Sequence, residues 1–186
     1  MFLLLLLLLL VATLMSRSPW PGAVFPISVP RVTLPFASVW APYRPGHPHR
    51  GVDLSPRPGA FGEPIVSPWA GTVVMAYTSE SFGRFVLVKY EFPFPVSAHD
   101  LDGDVVTIES DTPIFVFFAH MTEQKVAAGQ AVNPGTLLGT IGATGAADGA
   151  HLHMEARPRL AAGNPVDPMD LLIATVVGLR DQVIIA

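Results

Sequence analysis

The feature that most constrains this fold is the spacing of its turn formers. From about residue 47, short runs of β-branched and aromatic residues alternate with Gly, Pro, Asp and Asn, which is typical of strands joined by turns. No long stretch before residue 167 shows the apolar spacing of three to four residues that an amphipathic helix needs. The sequence therefore predicts an all-β domain. The predicted strands are GTVVMAYT (71–78), RFVLVKYE (84–91), DVVTIES (104–110), PIFVFFAH (113–120), TLLGTIGA (136–143) and HLHMEARP (151–158).

Two polar segments and one C-terminal stretch complete the expected elements. SESFGR (79–84) and HDLDGDV (99–105) are predicted as hairpin connections, and DPMDLLIATVVGLRDQ (167–182) as a stretch that forms a short helix after Pro168. The acidic residues of the second connection match a calcium loop only in part, because Val105 stands where the EF-hand pattern requires Gly. A solvated turn is the simpler interpretation.

Size and composition limit the class of protein. At 186 residues the chain is long enough for one domain with a proper core plus an appendage. Charged residues are only 14% of the chain, the net charge is −4, and Lys and Arg are scattered singly, so no nucleic-acid-binding surface is indicated. The chain has no cysteine, which excludes disulfides and thiolate metal sites. Any metal must then be held by His and carboxylate side chains.

Residues 1–18 form a separate hydrophobic segment. The apolar run from Phe2 to Met15 would span roughly 21 Å as a helix, against about 30 Å of hydrocarbon core, which is short for a membrane span. Its length favours an export signal, but Arg17 follows the run and no small-residue cleavage site is visible. A cleaved signal, a retained anchor, a hydrophobic tail and a misplaced start all stay open. We expect an extracytoplasmic protein, with any membrane contact through residues 1–15.

Prolines set the boundaries of the next segment. Seven of them fall between residues 16 and 46, which forbids a helix and favours extended chain. Residues 19–43 are therefore predicted as a Pro-rich linker or a strapping arm. The all-β domain is then expected over residues 44–175, followed by a C-terminal tail over 176–186.

The stretch HLHMEARP carries two histidines and a glutamate at strand spacing. Residues two apart in a strand lie about 6.6 Å from each other and point to the same face, so His151, His153 and Glu155 are expected to project together. Leu152 and Met154 then point to the other face, into a core. The pattern fits two imidazoles that serve one site, and it equally fits a chance pairing on a solvated face.

A second cluster lies in GHPHRGVDLSP (46–56), which offers His47, His49 and Asp53. In the absence of cysteine, His and Asp are ligand types suited to Zn²⁺, and three protein ligands with an open fourth position is the catalytic arrangement. His49, Asp53 and one histidine of HLH would supply such a set. The chain has no HExxH motif. His120 ends the apolar run PIFVFFAH, where a histidine by itself is more typical of the core or its rim.

Taken in order, these motifs resemble the lysostaphin-like family of zinc endopeptidases, which cut peptidoglycan peptides. The resemblance covers roughly residues 44–172 and consists of HRGVD, an aromatic strand ending in AHM, the glycine-rich run before HLHME, and NPVDPMDLL. It implies a compact antiparallel β-sheet domain of the lysostaphin-like peptidase type, with one Zn²⁺ per chain. It also implies His49, Asp53 and His153 as the metal ligands.

The same resemblance implies the catalytic residues. His120 and His151 occupy the positions of the two histidines that act on the water and the transition state, and we favour His151 as the base because it lies two residues from His153. All five positions hold the expected residue. Glu155 is interpreted either as a group that orients a ligand or as a rim carboxylate paired with an arginine. Arg44 is interpreted as a group that binds a substrate carboxylate.

The predicted function is zinc-dependent hydrolysis of peptide bonds in peptidoglycan stem peptides or cross-bridges, with peptidoglycan peptide as the partner and no nucleic acid. His47 lies outside the family pattern and is expected to be a bystander. Residues 92–112 add a proline-rich, acidic hairpin that would alter substrate choice if it overhung the groove. The alternative is a non-catalytic zinc-containing module that binds the cell wall or activates another hydrolase. Such a module has no need of His120 and His151.

Overall fold

The structure, a computed structural model, describes residues 22–38, 47–160 and 164–177. Over these ranges nearly all of the regular secondary structure is strand, which confirms the all-β prediction, and the one α-helix is short. That helix, α1, covers Pro168–Leu172 and continues as a π-helical turn over Ile173–Val177. The strands are β1 Arg31–Leu34, β2 Val52–Ser55, β3 Pro64–Val66, β4 Gly71–Ser79, β5 Gly83–Glu91, β6 Val96–His99, β7 Val105–Ile108, β8 Pro113–Met121, β9 Glu123–Gln124, β10 Ala131–Val132, β11 Leu137–Thr140 and β12 Leu152–Arg157.

One antiparallel sheet of seven strands organises the domain. Its strand order is β1-β2-β12-β8-β5-β4-β10, and two smaller sheets have the orders β3-β11-β9 and β6-β7. Most residues of the central strands β5 and β8 are buried on both faces, which explains why their sequences are nearly continuous apolar runs. Phe118 and Met154 lie in the main core on one face of the large sheet, whereas Phe117 and Ala119 lie in a second apolar cluster on the other face.

Part of the Pro-rich segment belongs to the large sheet. Arg31–Leu34 pairs with β2 as an edge strand. A few residues later, the Ser38 carbonyl accepts a hydrogen bond from the His49 N–H at 2.8 Å. Of the two interpretations, a linker and a strapping arm, the described residues 22–38 match the strapping arm, because backbone hydrogen bonds tie them to the domain. We refer to residues 22–38 as the strap.

Both predicted hairpin connections are found. β4 and β5 pair as a long hairpin, and β6 and β7 pair as a shorter one. In the shorter turn, the Asp100 carboxylate accepts hydrogen bonds from the backbone N–H groups of Asp102 and Asp104 at 2.9 and 3.0 Å. At its base, His99 Nδ1 lies 2.8 Å from the Asp170 carboxylate of α1. The shorter hairpin is thus anchored to the C-terminal helix.

Two of the predicted segments fall at the ends of the chain. Residues 1–18, for which an export signal or anchor is predicted, lie outside the described residues, as do residues 178–186 of the predicted tail. Within the described ranges, no helix has both the length and the apolarity needed to cross a membrane.

The core assignment is tested by Phe118, which is fully buried and lies opposite Val86 and Met154 in the neighbouring strands. Phe118→Ala is expected to lower the free energy of unfolding by about 3–5 kcal/mol, because it leaves a large cavity. Phe61 is 62% exposed, so Phe61→Ala is the control and is expected to change that free energy by less than about 0.5 kcal/mol. Urea denaturation measures both, and equal effects would contradict the assignment.

Candidate metal centre

The site is built on three neighbouring strands of the large sheet. β12 lies between β2 and β8, and its register sets His153 opposite Asp53 on one side and opposite Ala119 on the other. Directly opposed residues of an antiparallel pair project to the same face. Asp53 and His153 therefore converge, although they are 100 residues apart in the chain.

Three donor atoms meet at this point. His49 Nε2 lies 3.1 Å from His153 Nδ1 and 3.3 Å from Asp53 Oδ1, and the last two atoms are 2.8 Å apart. Bonds of about 2.0–2.1 Å to a tetrahedral Zn²⁺ place any two donors about 3.3 Å from each other. The three spacings fit a single ion, and the structure thus brings His49, Asp53 and His153 together as one donor set.

The strap and a glycine hold this donor set in place. The His49 Nδ1–H donates to the Pro35 carbonyl at 3.0 Å, which leaves Nε2 with the lone pair that a metal ion needs. Gly51 permits the close approach of β12, because a Cβ at that position would lie 2.8 Å from the His153 ring. A larger residue there would displace the ligand.

The charges in the donor set are strongly coupled. Burial alone would raise the pKa of Asp53, but the hydrogen bond from His153, together with the neighbouring imidazoles of His49 and His151, outweighs it and holds that pKa well below its usual range. Burial alone would lower the pKa of His153, but the carboxylates of Asp53 and Glu155 outweigh it and raise the pKa to about 9. With no metal bound, His153 is therefore an imidazolium paired with an ionised Asp53 at neutral pH.

Glu155 lies behind His153, against the ring nitrogen that the donor set does not use. Its Oε2 is 3.8 Å from His153 Nε2, and its Oε1 accepts a hydrogen bond from Arg157 Nε at 2.7 Å and lies 3.5 Å from Arg50 Nε. Only 1% of Glu155 is exposed, so this carboxylate is buried and does not lie at a rim. It contacts the imidazole, as the first interpretation expects, and it pairs with arginines as the second expects, but in a buried position and not at a rim.

His120 reaches the site through a bulge at the end of β8. Phe118 and Met121 both pack in the main core although they are three positions apart, whereas regular alternation would turn one of them outward. The pairing of β8 with β5 is irregular here, and His120 has a φ of +61°. The bulge puts the His120 ring on the outer face, with its centroid 4.9 Å from that of His151 and 5.7 Å from that of His153.

Backbone carbonyls orient both of the remaining imidazoles. The His120 Nδ1–H donates to the Thr144 carbonyl at 2.8 Å, and the His151 Nδ1–H donates to the Gly149 carbonyl at 2.9 Å. Each ring therefore presents Nε2 to the site, and His151 Nε2 lies 3.5 Å from Asp53 Oδ1. Burial is the main reason that the pKa of His120 is lowered to about 4, so this imidazole is neutral around pH 7.

Sequence reasoning named all five of these clustered residues and missed the groups that hold them. Pro35 and Thr144 act through backbone carbonyls, which no side-chain pattern reveals. His47 is exposed and is not part of the donor set. Arg44, predicted to bind a substrate carboxylate, lies outside the described residues.

Comparison with known proteins identifies the class. The sequence profile of peptidase family M23 matches residues 47–168, a range that covers well over half of the chain and includes the five clustered residues. The chain therefore belongs to peptidase family M23. This is a family of metal-dependent peptidases, in agreement with the donor set.

The chain is also similar to individual proteins in sequence or in fold. In sequence it is similar to an uncharacterized metalloprotease of Haemophilus influenzae, with 31% identity over 120 residues. The match covers 64% of this chain, which spans only 20% of the length of that relative. In fold it is similar to the catalytic domain of lysostaphin from Staphylococcus simulans, with a TM-score of 0.59 and 21% identity over 78% of this chain and 98% of that one. It is also similar to a zinc-containing peptidase from Vibrio cholerae, with a TM-score of 0.55 and 24% identity over 76% and 37% of the two chains.

Metal binding is expected to release a proton. The pKa of His153 is raised to about 9, so below that pH its proton must leave before the nitrogen binds an ion. The apparent affinity for Zn²⁺ should then rise about tenfold for each pH unit between about pH 7 and 8.5. Titration calorimetry in buffers of different ionisation enthalpy counts the proton. His47→Ala is the control and should release the same number of protons per Zn²⁺ bound. An affinity that does not change with pH would contradict the pairing of His153 with Asp53.

Proposed function

We propose that this chain is a zinc-dependent endopeptidase that hydrolyses peptide bonds of peptidoglycan stem peptides or cross-bridges. The observation that carries the proposal is the pairing of a complete donor set, His49, Asp53 and His153, with two further imidazoles whose Nε2 atoms face it. A site that only holds a metal has no need of those imidazoles. Membership in peptidase family M23 supports hydrolysis as the reaction.

Zinc is favoured by the chemistry of the donors. Two imidazole nitrogens and one carboxylate oxygen, in a chain without cysteine, are the ligand types of catalytic zinc sites that keep a fourth position for water or substrate. The similar peptidase from Vibrio cholerae contains zinc. When bound, the ion supplies an acidified water and a Lewis acid for the scissile carbonyl.

We assign different catalytic roles to the two remaining imidazoles, His120 and His151. Burial keeps His120 neutral, with its proton on Nδ1 and a lone pair on Nε2, so His120 accepts the proton of the attacking water and returns it to the leaving amine. His151, whose Nε2 lies 3.5 Å from Asp53 Oδ1, is proposed as the group that donates a hydrogen bond from Nε2–H to the developing oxyanion when it is protonated there. This assignment reverses the sequence-based preference for His151 as the base, because neither the burial of His120 nor its contact with Thr144 is visible in the sequence.

Peptidoglycan is proposed as substrate and partner because the ordered motifs match the lysostaphin-like pattern. The catalytic domain of lysostaphin, described as an antimicrobial peptidase, has the same fold. A wall substrate requires an extracytoplasmic location. The apolar run over residues 2–15 supports that location, either as an export signal or as a membrane contact.

The first test incubates the chain with purified peptidoglycan and Zn²⁺, with and without a chelator, and looks for new amino ends by mass spectrometry. Chelator-sensitive ends would support the proposal and identify the bond that is cut. Wall binding in the presence of zinc without new ends would contradict it. That result would support a non-catalytic module that binds the wall or activates another hydrolase.

Variants of the metal-binding histidines and of the proton-transferring histidines should lose different properties. His153→Ala is expected to abolish both zinc retention and cleavage, because it removes a donor. His120→Ala is expected to retain zinc and to lower kcat by about 10²–10⁴-fold, the usual contribution of general acid–base catalysis. His47→Ala, at an exposed position, is the matched control and should keep both properties. Metal analysis and the rate of amino-end release measure these effects, and normal turnover in His120→Ala would show that its catalytic role is wrong.

A further inference from the structure

Two turns interlock next to the imidazole at the end of β8. The loop over residues 142–146 and the tip of the β4–β5 hairpin are joined by a hydrogen bond from the Ala146 N–H to the Ser81 carbonyl at 3.0 Å. Gly83 and Gly145 both have positive φ, and each lies so close to the opposite turn that an added Cβ would overlap it. The contact fixes the loop relative to the start of β5.

Thr144 lies in the middle of this contact and uses both its hydroxyl and its carbonyl. The hydroxyl donates to the Met121 carbonyl and accepts the Arg84 N–H, both at 2.9 Å. The carbonyl accepts the His120 Nδ1–H at 2.8 Å. The hydroxyl thus joins the start of β5 to the end of β8, at the place where the pairing of these strands is irregular.

The bulged His120 depends on this support. Strand alternation no longer fixes the direction of its side chain, and a φ of +61° is unfavourable for a residue other than glycine. Its backbone N–H donates to the Phe82 carbonyl at 2.9 Å, so the hairpin tip holds the main chain. The Thr144 carbonyl holds the ring, because it accepts a hydrogen bond from the Nδ1–H and so leaves the lone pair on Nε2.

We propose that Thr144 is a positioning residue for His120. Its hydroxyl fixes the position of its own carbonyl, and that carbonyl fixes the tautomer and the direction of the imidazole. The inference rests on the proposed function, in which His120 accepts a proton at Nε2. Thr144 is not a member of the donor set, so its loss should leave zinc binding intact. A displacement of about 1 Å in such a group costs about 10²-fold in rate.

The experiment compares variants of Thr144 with purified peptidoglycan as substrate and Zn²⁺ present. Thr144→Val keeps the side-chain shape and removes both hydrogen bonds of the hydroxyl, so kcat is expected to fall about 10–100-fold while KM and zinc content stay within about twofold. Thr144→Ser keeps the hydroxyl and should restore most of kcat. Thr136→Val is the matched control, because it removes a hydroxyl that accepts the Asn133 N–H at 2.9 Å in a different turn.

A second readout needs no turnover. Long-range ¹H–¹⁵N correlation spectra show which ring nitrogen of His120 carries the proton. The wild-type chain and Thr144→Ser should show the Nδ1–H tautomer, whereas Thr144→Val and Thr144→Ala should show a mixture with Nε2–H. Thr144→Ala is included because it places no methyl group against the Arg84 N–H, and thermal melts establish that each variant is folded.

Each outcome either supports or overturns the positioning role of Thr144. Wild-type kcat and a single Nδ1–H tautomer in Thr144→Val and Thr144→Ala would overturn it, as would equal losses in Thr136→Val. Loss of zinc from the Thr144 variants would show a structural role in the donor set, and would overturn it too. If the wild-type chain releases no amino ends, the proposed function fails, and the tautomer spectra alone decide the role of Thr144.

Discussion

The site depends on one register, that of β12 between β2 and β8. With His153 opposite Asp53 and Ala119, its imidazole and the carboxylate leave the same face of the sheet. A slip of one residue would turn His153 into the core and bring Met154 out of it. Met154 and Ala156 are fully buried in the main core, and their burial opposes that slip. The hydrophobic core therefore fixes the register that places the donors Asp53 and His153.

A second constraint acts at His120, which is on the outer face only because β8 breaks its alternation. A non-glycine residue with positive φ costs about 1–3 kcal/mol and persists where its surroundings determine it strongly. The hairpin tip and the loop over 142–146 provide such surroundings, through the carbonyls of Phe82 and Thr144. Backbone strain, close glycine contacts and a fixed tautomer thus coincide at the residue to which proton transfer is assigned.

Features that depend on one short segment of the chain could be predicted from the sequence. The alternation in HLHME predicted that His151, His153 and Glu155 share a face, and the turn formers predicted the hairpins. The bulge at His120 could not be predicted. A bulge shows in a sequence as a break in the alternation of polar and apolar residues, and β8 is apolar almost throughout because it is buried on both faces. The contact of Pro35 with His49 and the edge pairing of the strap depend on partners remote in the chain. The spacing of the prolines therefore does not predict this contact or this pairing.

Contacts within the chain hold the residues of the donor set. The strap holds His49, the register holds Asp53 and His153, and Glu155 lies against the far nitrogen of His153. The main cost of binding an ion is then the proton on His153, whose pKa the two carboxylates raise to about 9. Glu155 acts in two opposite ways. Below that pKa it stabilises the imidazolium that competes with the metal, and above it the same carboxylate makes the imidazole a more basic and stronger ligand. Its pairing with Arg157 draws charge away from His153 and so limits both effects.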